Sequence, residues 1–207
     1  MKRLLYLLLT LSGLLVACNS NNSKKSDTST SRLLPEPDIL ERLTYQKKSI
    51  DTLFNNSNDK LLVLAKLVDK EELIEIKNEN FPENVEVTFN ILKDSLGQII
   101  SATEFPFSES GDWNITLTHY FDKDGKTFAF ERQTNFFNSI CTAGVAYETQ
   151  TEFYDNNFQK IHKMYTLVDE HNKALEKDNC QFPYDYDYKV SVDIDSYLRT
   201  NSIKNSK

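Results

Sequence analysis

The chain has 207 residues, with 24 basic against 31 acidic side chains and a formal net charge of −7. That balance argues against nucleic acid as a partner, because gripping a polyanion requires clustered Lys and Arg, and the densest basic pairs, Lys24-Lys25 and Lys47-Lys48, stand isolated. Five scattered glycines are too few for a phosphate-cradling loop, and neither HExxH nor GxSxG occurs.

In chain order, Met1-Lys2-Arg3 supplies a short positive region and Leu4 to Val16 an apolar stretch of the length of a signal-peptide core. Spanning a bilayer takes about 20 apolar residues, and this run breaks at Cys18 into Asn19-Ser20-Asn21-Asn22-Ser23. Residues 1–17 therefore read as an export signal. Leu15-Val16-Ala17-Cys18 resembles the lipobox of bacterial lipoproteins, which implies that Cys18 is the lipid-attachment residue and the mature N-terminus. Two or more acyl chains anchor a protein stably where one does not. Cleavage removes Lys2 and Arg3 and no acid, so 24 basic residues become 22 and the net charge moves from −7 to −9. In Gram-negative lipoproteins Asn19, where retention would call for Asp, implies sorting to the outer membrane. The resemblance thus implies a palmitoylated envelope protein whose membrane partner is reached through its N-terminus.

Residues 18–35 are dominated by Asn, Ser, Thr and Lys, which bury too little surface to order a chain. They read as a tether that would hold the following domain roughly 20–25 Å from the membrane. A single globular domain is expected over 36–198, followed by a disordered tail at 199–207. Pro35-Glu36-Pro37-Asp38 is a helix start. Ile39, Leu40, Leu43, Ile50, Leu53 and Phe54 recur at helical spacing until Asn55-Asn56-Ser57-Asn58. Residues 59–78 are too apolar for periodicity to decide between a short helix and two strands around Asp69-Lys70-Glu71.

From Val85 the period becomes two. Val85, Val87, Phe89 and Ile91 alternate with polar residues, and Lys93 to Gly97 forms a turn into a β-rich run from Gln98 to Phe105. Trp113, Ile115, Leu117, His119 and Phe121 line the next strand, and Asp124-Gly125 offers a hairpin turn into Phe128, Phe130 and Phe136. "THYFDKDGK" from Thr118 recurs as "TEFYDNNFQ" from Thr151, with Phe158 replacing Gly125, so the second turn must differ or be strained. These paired hairpins resemble MORN-type and antitoxin-like repeats of stacked β-hairpins; a meander that uses one turn twice accounts for the same residues. A last strand is expected where Tyr184, Tyr186, Tyr188, Val190, Val192 and Ile194 alternate with Asp185, Asp187, Lys189, Ser191, Asp193 and Asp195, one face core and one face solvated. Neighbours on that solvated face lie about 7 Å apart, so its aspartates do not by themselves make a metal site. The fold expected is α+β, an N-terminal helix packed on a bent antiparallel meander of six to eight strands.

With Cys18 acylated, Cys141 and Cys180 remain, and an exported domain sits in an oxidising compartment, which predicts that they form a disulfide. Among the three histidines, His119 reads as a core residue, His162 as one face of a strand and His171 as part of a polar turn. Asp112 and Trp113, in "SESGDW", are the candidate partner-contact residues. No cofactor and no metal site is expected. Three function classes fit. One is a non-catalytic binding module for an envelope protein or a glycan. Another is a carrier for an apolar ligand in a sheet-lined cavity, and the last is a hydrolytic enzyme.

Overall fold

The structure, a computed structural model, describes residues 39–56, 61–182 and 184–204. The signal, Cys18, the tether and the helix-start prolines lie outside those residues. Helix α1 spans Ile39–Asn56. Eight strands follow in the order Leu61–Leu67 (β1), Leu73–Glu75 (β2), Val85–Lys93 (β3), Ile99–Pro106 (β4), Trp113–Phe121 (β5), Thr127–Phe136 (β6), Ala146–Tyr154 (β7) and Lys160–Asp169 (β8), and helix α2 is Ile194–Thr200. Within the undecided stretch 59–78, the described residues from 61 onward carry two strands, β1 and β2. β1 pairs with both β2 and β3, and Leu61 packs into the core beneath α1 while Leu62 and Leu64 pack into the core on the other face, which explains a run as apolar as Leu61–Leu67. All pairings are antiparallel and the sheet order is β2-β1-β3-β4-β5-β6-β7-β8. The fold is the α+β meander expected, at the upper end of the strand count, with β2 and β8 as the outermost strands of the sheet.

Alternation along each strand divides the side chains between two faces. On one face, Leu43 and Ile50 of α1 pack against Leu92, Tyr120, Ala129 and Phe153, with Ile39, Leu40 and Phe54 around them. On the other face, Val87, Phe89, Ile91, Ala102 and Phe121 pack beneath Tyr197 and Leu198 of α2 and the nearby Ile203. Beside them Ile115, Leu117, Phe130 and Phe136 lie beneath Phe182, Tyr186 and Val190.

One Asp-led turn recurs. Asp122 Oδ1 accepts from the backbone of Asp124 and Lys126, both at 2.9 Å, while Gly125 N donates to Asp122 O. Asp94, Asp155 and Asp169 make the same three bonds to the residues two, four and three positions on. The third residue after the aspartate has positive φ each time: Gly97 +80°, Gly125 +77°, Phe158 +59° and Asn172 +61°. The register slips beside the first three, at Leu92/Lys93, Tyr120/Phe121 and Phe153/Tyr154. This is the type I turn with a left-handed residue and a bulge, rather than the two-residue Asp-Gly turn. Phe158 therefore repeats the geometry of Gly125, and its ring stacks on Tyr154 with centroids 4.6 Å apart.

The expected last strand is a correction. Residues 181–182 and 184–193 form no strand and, among the described residues, pair with the sheet at the isolated bridge Lys126↔Asp193; they run as a strap across the face. Alternation arose because one side lies on aromatics. Phe182 stacks on Phe136, Tyr184 on Trp113 and Tyr188 on Phe130. The pattern inverts at its end, where Ser191 is buried and Val192 is 44% exposed. The strap is fixed at one end by Cys141–Cys180. At the other, Thr127 Oγ1 donates to Ser191 O and Thr127 N to Val192 O. Asp193 then caps α2, accepting from Ser196 N at 2.7 Å. The tail expected to be disordered from 199 is corrected too: Arg199 and Thr200 belong to α2 and Ile203 is buried, because an apolar side chain three residues past the helix completes its packing.

Candidate functional site

Helical spacing sets Lys47, Asp51 and Phe54 on one side of α1. That side overlooks the sheet. Directly opposed on the face beneath are Ser101 and Tyr120, Thr103 and Thr118, Thr118 and Glu131, Thr116 and Gln133, and Glu131 and Thr151. Helix and sheet enclose an open cleft of about 440 Å³, a volume in the range of small-molecule sites.

Its floor is a closed polar network. Lys47 Nζ lies 3.0 Å from Asp51 Oδ2 and 2.8 Å from Glu131 Oε2, its side chain only 13% exposed. Glu131 also accepts from Thr151 Oγ1 at 2.7 Å and from Gln133 Nε2 at 2.9 Å. The Tyr120 hydroxyl donates to Asp51 Oδ1 at 2.8 Å, and Lys47 Nζ sits 4.7 Å from the centre of the Tyr120 ring. Burial, with the Glu131 and Asp51 carboxylates adding to it, holds the Tyr120 phenol well above its ordinary range. Tyr120 is therefore a fixed donor. Thr103 and Thr118 hydroxyls share a hydrogen bond at 3.0 Å.

The opposite face carries its own recessed polar groups, His119 buried and Glu104 half-buried. His119 accepts from Ser191 N through Nε2 at 3.0 Å, packed against Phe130 and Tyr197, and its Nδ1 has no partner among the described residues. Burial pushes its pKa down to about 3, so the ring is neutral and its work is to hold the strap. Glu104 is pushed up to about 7 by burial, with Tyr197 and Asn201 pulling the other way; Asn201 Nδ2 reaches it at 3.5 Å, and the Tyr197 hydroxyl completes no hydrogen bond of normal geometry.

The residues singled out from the sequence do not gather at the cleft. Asp112 is partly exposed in the loop before β5 and accepts from the Ser110 hydroxyl. Trp113 is 7% exposed, its ring parallel to that of Tyr184 at 4.2 Å, on the face away from α1. Its indole is committed to the strap and offers no open contact surface. Cys141 and Cys180 are joined as a disulfide, linking the loop between β6 and β7 to the start of the strap. His162 is exposed on β8 opposite Phe153, and His171 is exposed in the last Asp turn. Among the described residues no group of three or more His, Cys, Asp or Glu is placed to hold a metal.

Sequence reasoning missed Lys47, Asp51, Tyr120 and Glu131. One signal was present: Glu131 follows Ala129 at period two inside the apolar run "TFAFERQ", and a carboxylate on an inward strand position requires a partner. Compared with protein-family models, with curated proteins and with solved structures, the chain matches none.

Proposed function

We propose that the protein is a lipid-anchored module of the bacterial envelope that works by binding rather than by turnover, with the cleft beneath α1 as its ligand site. The anchor, and placement at the outer membrane, rest on the sequence alone: a positive start, an apolar core, Leu15-Val16-Ala17-Cys18 and then Asn19. The binding reading rests above all on the closed network. Glu131 receives Lys47, Thr151 and Gln133, and Asp51 receives Lys47 and Tyr120. Both carboxylates are tied to Lys47 and to neighbouring donors, an arrangement that fixes the floor in place, and the described residues lining the cleft include neither His nor Cys to serve beside them. His119 lies on the far face, and Cys141 is tied in its disulfide. Hydroxyls and paired charges on the floor fit a polar ligand better than an apolar cargo.

Native mass spectrometry of the chain isolated from its own envelope tests this. A non-covalent adduct, released without change of mass and missing from a cleft-filling Thr116→Trp variant, is the expected result. Its absence from the unmodified chain, or its persistence in Thr116→Trp, would overturn the reading.

A further inference from the structure

We infer that the cleft beneath α1 takes a neutral, polyhydroxylated ligand, a short saccharide segment, an inference that rests on reading the cleft as a binding site. The class follows from what the cleft has left to offer. Lys47 is held between Asp51 and Glu131, so an incoming phosphate or carboxylate finds the only cation of the network committed. The network carries two carboxylates against one ammonium, which further disfavours anions. A fatty chain would take water from the Ser101 and Thr116 hydroxyls and the Gln133 amide oxygen and give nothing back, at about 1–3 kcal/mol for each.

The groups with hydrogen-bonding capacity left are hydroxyls and the Gln133 amide, which spends one N–H on Glu131. Ser101 and Thr103 are recessed, while Thr116, Thr118 and Gln133 stand at the more open end. A hydroxyl both donates and accepts. Thr103 and Thr118 spend one bond on each other, which leaves capacity of both kinds. Adjacent strands repeat every 4.7–4.9 Å or so, so the floor is a lattice of mixed donors and acceptors, complementary to a molecule whose surface is itself mixed hydroxyls. Phe54 from α1 and Phe105 from β4 also line the cleft and give apolar surface against which the C–H face of a sugar ring can lie.

The test uses the full chain carrying Cys18→Ala, titrated with maltotriose, triacetylchitotriose, trigalacturonate, trialanine and palmitate, and followed by calorimetry and by the methyl resonances of Thr and Ile. At least one of the two neutral trisaccharides should bind and shift the Thr116, Thr118 and Ile50 methyls. Thr118→Val and Phe105→Ala, checked for folding by circular dichroism, should each weaken that binding about tenfold, the loss of one good contact. Lys189→Ala, on the exposed side of the strap, should leave it unchanged. Failure of both neutral trisaccharides, or binding indifferent to Thr118→Val and Phe105→Ala, overturns the saccharide assignment. If the native adduct then survives and still depends on the cleft, only the ligand class falls; if it is absent as well, the binding reading falls with it.

Discussion

Replacing Phe158 tests whether the four Asp turns are one structure. Phe158 holds φ +59°, a conformation that costs a residue with a Cβ about 1–2 kcal/mol and that Gly125 adopts freely at the matching place. Against that cost stand the stack on Tyr154 and partial burial of the ring, together about 2 kcal/mol. Phe158→Ala keeps the strain and loses the ring, so it should destabilise the domain by about 2 kcal/mol. Phe158→Gly loses the ring and the strain while adding freedom to the unfolded chain, which returns part of the gain, so it should be the more stable of the two by roughly 1 kcal/mol. The reciprocal change, Gly125→Ala, adds the strain at φ +77° and puts a Cβ 3.4 Å from Ile194 Cδ1, a loss of about 1–2 kcal/mol. Urea unfolding followed by Trp113 fluorescence measures all three. If Phe158→Gly is less stable than Phe158→Ala, the left-handed position is not what limits the turn and the reasoning fails.

Half-buried Glu104 and buried His119 should act oppositely on stability as pH changes. Glu104, raised from 4.5 to about 7, binds its proton more tightly folded than unfolded. Its contribution is complete below pH 4.5 and is lost as pH rises through 7, so Glu104→Gln should remove a decline on the order of 2 kcal/mol between pH 5 and pH 8 in urea midpoints. His119, lowered from 6.5 to about 3, stabilises fully above pH 6.5 and loses that contribution as pH falls toward 3, so His119→Gln should flatten the acid side of the profile. The double variant Cys141→Ala/Cys180→Ala should lose about 4 kcal/mol from the reopened loop, with thermal unfolding as the readout. A loss under about 1 kcal/mol would mean the strap is held by its aromatic stacks alone. For the anchor, Cys18→Ala should abolish labelling by palmitate in cells, and retained label would refute the lipobox.

Much of the scaffold was legible because local rules dictate it. Helical recurrence of Leu43, Ile50 and Phe54, the alternation from Val85, and Asp-Gly at 124–125 mark α1 and the central hairpins. Elsewhere local pattern had two meanings. Leu61–Leu67 is apolar but for Lys66 because Leu61 packs on one face of the sheet and Leu62 and Leu64 on the other. The tyrosines from 184 alternate because they lie on a sheet face, and an alternating segment reads the same whether it pairs at an edge or crosses over a face. The cleft was the least legible part. Glu131 looks like an oddity in its strand until Lys47, from a helix separated by five intervening strands, is brought within 2.8 Å. Trp113 drew notice as the lone tryptophan, and its partner Tyr184 comes from the far end of the domain.

The strap imposes an order of events on the folding chain. Every hairpin from β3 to β8 can close from neighbouring sequence, at low entropic cost. The aromatic floor of Trp113, Phe130 and Phe136 stays bare until residues 181–193, which follow all eight strands, are laid down. For a chain that emerges N-terminus first, the sheet would form first as a one-sided, sticky intermediate. Only arrival of the last segment and oxidation of Cys141 with Cys180 would seal it. Ribosome stalling or clipping just past Cys180 would then leave a molecule with its β-meander intact and a bare aromatic surface, a substrate for chaperones and proteases.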